Sequence, residues 1–232
     1  MVEATQDQNP DFVHRAFSSI AKRYVFTNHV LSLGIDLVWR KRVAGRLRDA
    51  GATFILDVAT GSGDLALTLK RELTGVRLVG LDFCQPMLAE ARKRGVGELI
   101  VGDGLHLPFP ANVFDAVTIA YGLRNMSDWE GALAEFHRVL KPGGSLLILD
   151  FSLPENSLLR KAYRFYLHRI LPCLGGLLTG NREAYAYLGD SIERFPAGPT
   201  MLELISKVGL TDAVWEPQSG GISSLYVARK PC

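Results

Sequence analysis

Apolar positions along the chain change their spacing twice. From Phe12 to Leu47 they recur at helical intervals, with Phe17, Ile20 and Tyr24 forming one i, i+3, i+7 set, and the spacing predicts two or three helices. From Phe54 onward the apolar residues gather into short runs, FILDVAT (54–60), VRLVGLD (76–82), ELIVGD (98–103), FDAVTIAYG (114–122) and SLLILDF (145–151). Unbroken runs of this length suit strands buried on both faces, and helical segments at 64–73, 86–94 and 128–140 separate them, which predicts a parallel sheet with crossover helices. Pro86 suits the first turn of its helix. Ser127 and Glu130 read as a capping box for the 128–140 helix, and Gly143-Gly144 as its stop. Beyond 151 the alternation ends: 157–178 and 199–208 read as helices, 183–195 is rich in aromatics, and 212–217 and 222–229 read as two late strands. The predicted architecture is α/β, a doubly wound and mostly parallel sheet with helical additions over the site. It forms one domain in which 1–47 is a helical cover, 54–151 the ligand-binding core, 152–211 lid helices and 212–232 the terminal strands.

Composition narrows the function. At 232 residues with 47% hydrophobic and 22% charged positions, the chain can bury a core and is not a disordered tail. A formal net charge of +2 lacks the strong basicity of a nucleic-acid binder, so no nucleic-acid partner is expected. Cys84, Cys173 and Cys232 show no CxxC spacing, which argues against a disulfide framework or a zinc site and suits a reducing cytoplasm. The five histidines are scattered without ligand spacing, so no metal is expected. The first eleven residues lack the cationic start and apolar run of a secretory signal, and no apolar run approaches the ~18 residues of a membrane span.

The chemistry concentrates between the first strand and the next helix, in DVATGSGD (57–64). Paired glycines there permit a tight turn and let a ligand approach the main chain. Gly61, Gly63 and Ala66 also satisfy a relaxed dinucleotide pattern, so a nicotinamide enzyme is a rival reading. Asp82, 19 residues beyond Gly63, suits a ribose diol on either reading. Asp103, in GDG (102–104), adds an acid at the carboxyl edge of the sheet, where α/β folds bind ligands. No second glycine-rich turn and no His/Lys pair for hydride chemistry is evident, and the combination favours S-adenosylmethionine over NAD.

LDVATGSGDLA (56–66), DFCQPML (82–88), GDGLHLPFPANVFDAVTIAYGLRN (102–125) and RVLKPGGSLLILDFSLP (138–154) closely resemble the ubiquinone/menaquinone biosynthesis C-methyltransferase family. FSSIAKRY (17–24), LSLGIDLVW (31–39), YAYLGDSIERFP (185–196) and GGISSLYV (220–227) resemble it too, so the likeness covers nearly the whole chain. The early blocks are common to class I methyltransferases, whereas GLRN and YLxxSIxxFP are more specific. The resemblance implies a seven-stranded sheet with an antiparallel last strand and methylation of a ring carbon of a polyprenylated quinol, demethylmenaquinol above all, with S-adenosylmethionine as donor. It places the cofactor at Gly61, Ser62, Gly63, Asp82, Asp103, Gly104 and Ala120. Three positions depart from the family pattern: Val25 stands where Asp is usual, Tyr226 where His is frequent, and Gly104 where Ala is common, the last expected to be neutral.

A ring carbon attacks a methyl group only when a neighbouring hydroxyl is ionised. Arg124 and Asn125 follow the fourth strand at the mouth of the expected cleft, where a guanidinium stabilises phenolate charge and an amide holds the second oxygen. Tyr24, Tyr121, Tyr185 and Tyr187 are candidates to stack on the ring, with Tyr24 grouped with Arg124 and Asn125 as catalytic. Each has a plainer alternative: Arg124 pairing with an acid of the protein, Tyr24 facing a helical core. Asp57 is expected to bind backbone amides. In 157–178, Leu159, Ala162, Tyr163, Tyr166 and Ile170 fall on one helical face and Arg160, Lys161, Arg164 and His168 on another, a pattern shared by a lid helix and an interfacial helix. A substrate that lives in the bilayer favours peripheral contact at the inner face of the membrane, and a homodimer is compatible with this reading. Two other functions stay open, a methyltransferase for another lipophilic phenol and a non-catalytic nucleoside-binding module.

Overall fold

A computed structural model describes residues 34–179 and 182–232. Tyr24 and Val25, together with the helical set at Phe17 and Ile20, lie outside the described residues. In chain order the elements are α1 (Ile35–Asp49), β1 (Phe54–Val58), α2 (Asp64–Glu72), β2 (Arg77–Asp82), α3 (Gln85–Lys93), β3 (Glu98–Val101) and β4 (Phe114–Ala120). A 3-10 turn (Leu123–Asn125) leads to α4 (Trp129–Val139), β5 (Leu140–Phe151) and α5 (Ser157–Phe165). A π-helical turn (Tyr166–Ile170) then joins α5 to α6 (Leu171–Thr179), followed by α7 (Arg182–Arg194), α8 (Pro199–Lys207), β6 (Thr211–Gln218) and β7 (Ser223–Arg229).

The seven strands form one sheet in the order β3-β2-β1-β4-β5-β7-β6. β1 through β5 pair in parallel, while β7 runs antiparallel to both β5 and β6. Neighbouring residues of one apolar run face opposite layers. Leu56, Val58, Val117, Ile119 and Ile148 pack with α4 and α8, whereas Ile55, Ala116, Leu147 and Leu149 pack with Trp39 and Leu47 of α1 and Leu65 and Leu69 of α2. A continuous run therefore suffices for a strand covered on both sides. The chain leaves β1 toward β2 and β3, then returns to β4 on the other side of β1. This reversal opens a crevice at the carboxyl ends of β1 and β4.

Several sequence expectations shift. β1 stops at Val58, because Ala59 already holds φ +50° in the turn, and β3 ends at Val101 as an edge strand of exposed and half-buried residues. The cap of α4 is Asp128, whose Oδ1 accepts from the Gly131 amide at 2.9 Å, in place of Ser127. α4 ends at Val139, and Gly143-Gly144 fall inside β5, since Pro142 disfavours helix at the preceding residue and Leu140 is already extended. In the 157–178 segment, Tyr163 and Leu167 turn inward with Leu171, Tyr185 and Ile192, while Leu159, Ala162 and Ile170 are exposed. The predicted apolar face is thus split: Tyr163 packs against α6 and α7, Leu159 and Ala162 before the π turn stay exposed, and the π turn rotates Ile170 from its α-helical position.

Candidate active site

The turn after β1 is built by backbone. Gly61 (φ +56°) and Gly63 (φ +84°) sit in the left-handed region, and a Cβ at Gly63 would approach Val96 Cγ2 to 2.6 Å. This close packing lets α2 start directly beside the carboxyl end of β1. Asp82 ends β2, nearly buried, and its two carboxylate oxygens are held separately: Oδ2 accepts from the Gly61 amide and Oδ1 from the Cys84 amide, each at 2.8 Å. A carboxylate has about four acceptor sites, so it retains capacity for a ligand diol.

Asp57 is fully buried and accepts from the hydroxyls of Thr60 (2.7 Å) and Thr118 (2.8 Å), in place of the backbone amides expected. Burial pushes its carboxyl up to about 6, against the opposing hydroxyls and the charge of Arg40. Asp103 is exposed and accepts from the Leu105 amide at 2.9 Å. Gly104 is buried, and a Cβ there would lie 2.5 Å from Met126 Cε. The exchange with alanine expected to be neutral therefore requires Met126 to withdraw.

These groups border one cavity among the described residues. Its lining includes Asp57, Gly61, Ser62, Asp82, Asp103, Gly104, Ala120 and Asn125, with the apolar Leu81, Met87, Leu105 and Met126, and Arg40 and Tyr121 at the β4 side. Of the seven residues expected to hold the cofactor, Gly63 does not border the cavity and acts only on the shape of the turn. The remaining six border it directly. Ser62 is nearly buried, its hydroxyl donating to Asp64 at 3.2 Å, and Asp64 in turn pairs with Arg94 at 2.7 Å.

Arg124 and Asn125 separate. Asn125 borders the cavity, its Nδ2 donating to the Tyr121 carbonyl at 3.4 Å and its Oδ1 accepting from the Tyr187 hydroxyl at 3.2 Å. Arg124 lies beneath the turn, 4% exposed, with Nη1 on Asp150 Oδ1 at 2.9 Å and on the Tyr121 carbonyl, and its guanidinium 5.4 Å from the Phe151 ring centre. The plainer alternative, pairing with an acid of the protein, is the observed contact, and Asp150 is the acid. Tyr121 (φ +59°) is buried against Trp39 and Phe151, Tyr185 packs with Tyr163, Leu167, Leu171 and Ile192, and Tyr226 is a core residue whose hydroxyl accepts from the Gly198 amide at 2.7 Å. The sequence reading missed Arg40, Met126 and Leu105 as lining residues.

The profile of the ubiE/COQ5 methyltransferase family matches residues 2–230. The chain belongs to that family. It is 44% identical to the demethylmenaquinone methyltransferase of Thermus thermophilus, over 93% of this chain and all of that one. It is 40% identical to the ubiquinone/menaquinone biosynthesis C-methyltransferase UbiE of Geobacter sulfurreducens, over 92% of this chain and 86% of that one. In fold it is similar to the putative methyltransferase solved with the Haloferax volcanii Trm112 activator (TM-score 0.65, 19% identity, 93% of this chain and 98% of that one). Human N-acetylserotonin methyltransferase, solved with S-adenosylmethionine, shares the fold as well (TM-score 0.60, 20% identity, 93% of this chain and 59% of that one).

As a member of this family the chain is an S-adenosylmethionine-dependent C-methyltransferase, and the cavity suits that cofactor. The glycine turn leaves the room that side chains would fill, Asp82 offers acceptors for a ribose diol, and Leu81, Met87, Leu105 and Met126 give apolar surface for a purine. Bound there, S-adenosylmethionine supplies an electrophilic methyl group.

Proposed function

We propose that the chain methylates a ring carbon of a polyprenylated quinol, with demethylmenaquinol as the acceptor. The observation that carries this reading is the full-length similarity to proteins named demethylmenaquinone methyltransferase. The site supports it through Asn125, which Tyr121 and Tyr187 hold from both ends at the cavity wall. A clamped amide presents a fixed polar group to a quinol oxygen without reorganising as charge develops. Holding the ring in line accounts for much of the barrier in such reactions, since well-aligned systems gain ~7–11 kcal/mol.

Arg124 acts at one remove in this reading. Its guanidinium is engaged by Asp150 and by the Tyr121 carbonyl, the same carbonyl that receives Asn125, so it positions the turn that carries Asn125. The quinol reaches the site from a bilayer. Leu158, Phe165, Leu174 and Leu177 are exposed along α5 and α6 near Arg160, Lys161 and Arg164, and we read this face as a peripheral contact with anionic lipid at the cytoplasmic side of the membrane. No helix among the described residues is long and apolar enough to cross a membrane.

Labelled S-adenosylmethionine offered with chemically reduced demethylmenaquinol, and separately with the demethylated benzoquinol, tests the acceptor. Label is expected in the naphthoquinol. Label in the benzoquinol alone would overturn the assignment.

A further inference from the structure

The first turns of α1 are inside out. Ile35, Leu37 and Val38 are exposed at 43%, 41% and 53%, while Asp36 and Arg40 are buried at 3% and 5%. A helix that hides an i, i+4 ion pair and shows its aliphatic residues to solvent incurs desolvation that a simple cover would avoid. Trp39 fixes the arrangement, its indole N–H on Ser219 at 3.0 Å and its ring edge-on to Phe151. Arg40 is thereby held 5.3 Å over the Tyr121 ring and at the cavity wall. Nη1 donates to Asp36, but Nε is buried without a hydrogen-bond partner.

Arg40 is the single cationic side chain lining the cavity among the described residues, against four carboxylates, Asp57, Asp64, Asp82 and Asp103. Strand order gives the cavity a direction. Asp103 and Gly104 follow β3, Asp82 ends β2, and Arg40 packs at Tyr121, beyond the end of β4 on the far side of β1. With a purine toward Asp103 and a ribose on Asp82, the amino-acid tail of S-adenosylmethionine extends toward Arg40. That tail ends in a carboxylate, which is desolvated in the cavity and needs a cation with a free donor. We propose that Arg40 binds the carboxylate of the cofactor's amino-acid tail through its buried guanidinium, and that Asp36 holds it in place for this purpose. This inference rests on the assignment of S-adenosylmethionine to the cavity.

Calorimetry with three ligands tests it: S-adenosylhomocysteine, its decarboxylated analogue 5′-(3-aminopropylthio)adenosine, and 5′-methylthioadenosine, which lacks the whole tail. The wild-type protein should bind the decarboxylated analogue at least about tenfold more weakly than S-adenosylhomocysteine, the scale of a charge-assisted hydrogen bond. Arg40→Gln should weaken S-adenosylhomocysteine by a similar factor and leave 5′-methylthioadenosine unchanged, which also reports an intact fold. The pair Asp36→Asn with Arg40→Gln removes both charges and repeats the measurement without a stranded carboxylate. Equal wild-type affinity for the carboxylated and decarboxylated ligands would overturn the proposal whatever the variants do. A uniform loss across all three ligands in the paired variant would overturn it too, because Arg40 would then be structural. A wild-type protein that binds none of the three would instead refute the cofactor assignment.

Discussion

Replacing Arg124 by alanine strands a charge. Its partner Asp150 is 0% exposed and keeps only the Phe151 amide (2.8 Å) and the longer Arg124 amide contact (3.3 Å) once the guanidinium is gone. Breaking a buried ion pair from one side costs ~3–5 kcal/mol, because the remaining ion has neither water nor a counter-charge. For a domain of this size that corresponds to a fall in Tm of roughly 6–20 °C. The loss should also depend on pH. Burial holds the Asp150 carboxyl above its ordinary value, with Arg124 opposing, so removing Arg124 raises it further. A folded-state pKa above the unfolded value of ~3.9 gives stability that is present below that value and lost as pH rises through the folded one. Urea unfolding should therefore show Arg124→Ala close to wild type near pH 4 and most destabilised at neutral pH and above. Arg124→Gln with Asp150→Asn should recover most of the loss, since no charge is left buried. A penalty below ~1 kcal/mol at neutral pH, or one that is the same at pH 5 and pH 8, would refute the reasoning.

Asp82→Ala removes the acceptor for the Gly61 and Cys84 amides as well as the ligand diol, and should weaken S-adenosylhomocysteine by ~1.5–3 kcal/mol in calorimetry; tighter binding of NAD than of S-adenosylmethionine to the wild type would contradict the cofactor. Gly63→Ala places a Cβ against Val96 at positive φ and should cost ~1–3 kcal/mol in urea unfolding, with Val96→Ala relieving the clash but not the backbone strain. Asp57, held up at about 6 by burial, should make wild-type stability fall by about 3 kcal/mol as pH rises from ~4 to 6, and Asp57→Asn should flatten that stretch of the profile. Vesicles containing anionic lipid should retain the protein and release it in salt, whereas Leu158, Phe165 and Leu177 changed together to Ser should abolish retention; equal co-sedimentation of that variant would remove α5 and α6 from the membrane account.

The alternating strand and helix order, the glycine turn and the acid that ends β2 beside it were legible in the sequence because each depends on local rules. Runs such as ILDV and TIA are too short for a helix and are bounded by turn residues, which favours buried strands, and Gly61 and Gly63 mark a turn that residues with a Cβ would strain. Asp103 followed from its place at the carboxyl edge of the sheet, and the family resemblance added Gly104 and Ala120, all three of which border the cavity. Tertiary structure decided what depends on a partner distant in sequence. Arg124 looked like a group at a cleft mouth, but Asp150, 26 positions away on β5, draws it beneath the turn and leaves Asn125 at the wall. Asp36 and Arg40 carried no sequence signal, and only the docking of α1 through Trp39 onto Phe151 and Ser219 turns them inward. The face of 157–178 was read only in part: a π turn displaces Ile170 from a fixed helical period, and the exposure of Leu159 and Ala162 follows from which side of α5 packs on α7. Local pattern determines which element a residue joins; the charge that faces it across the packed layers determines what that residue can do.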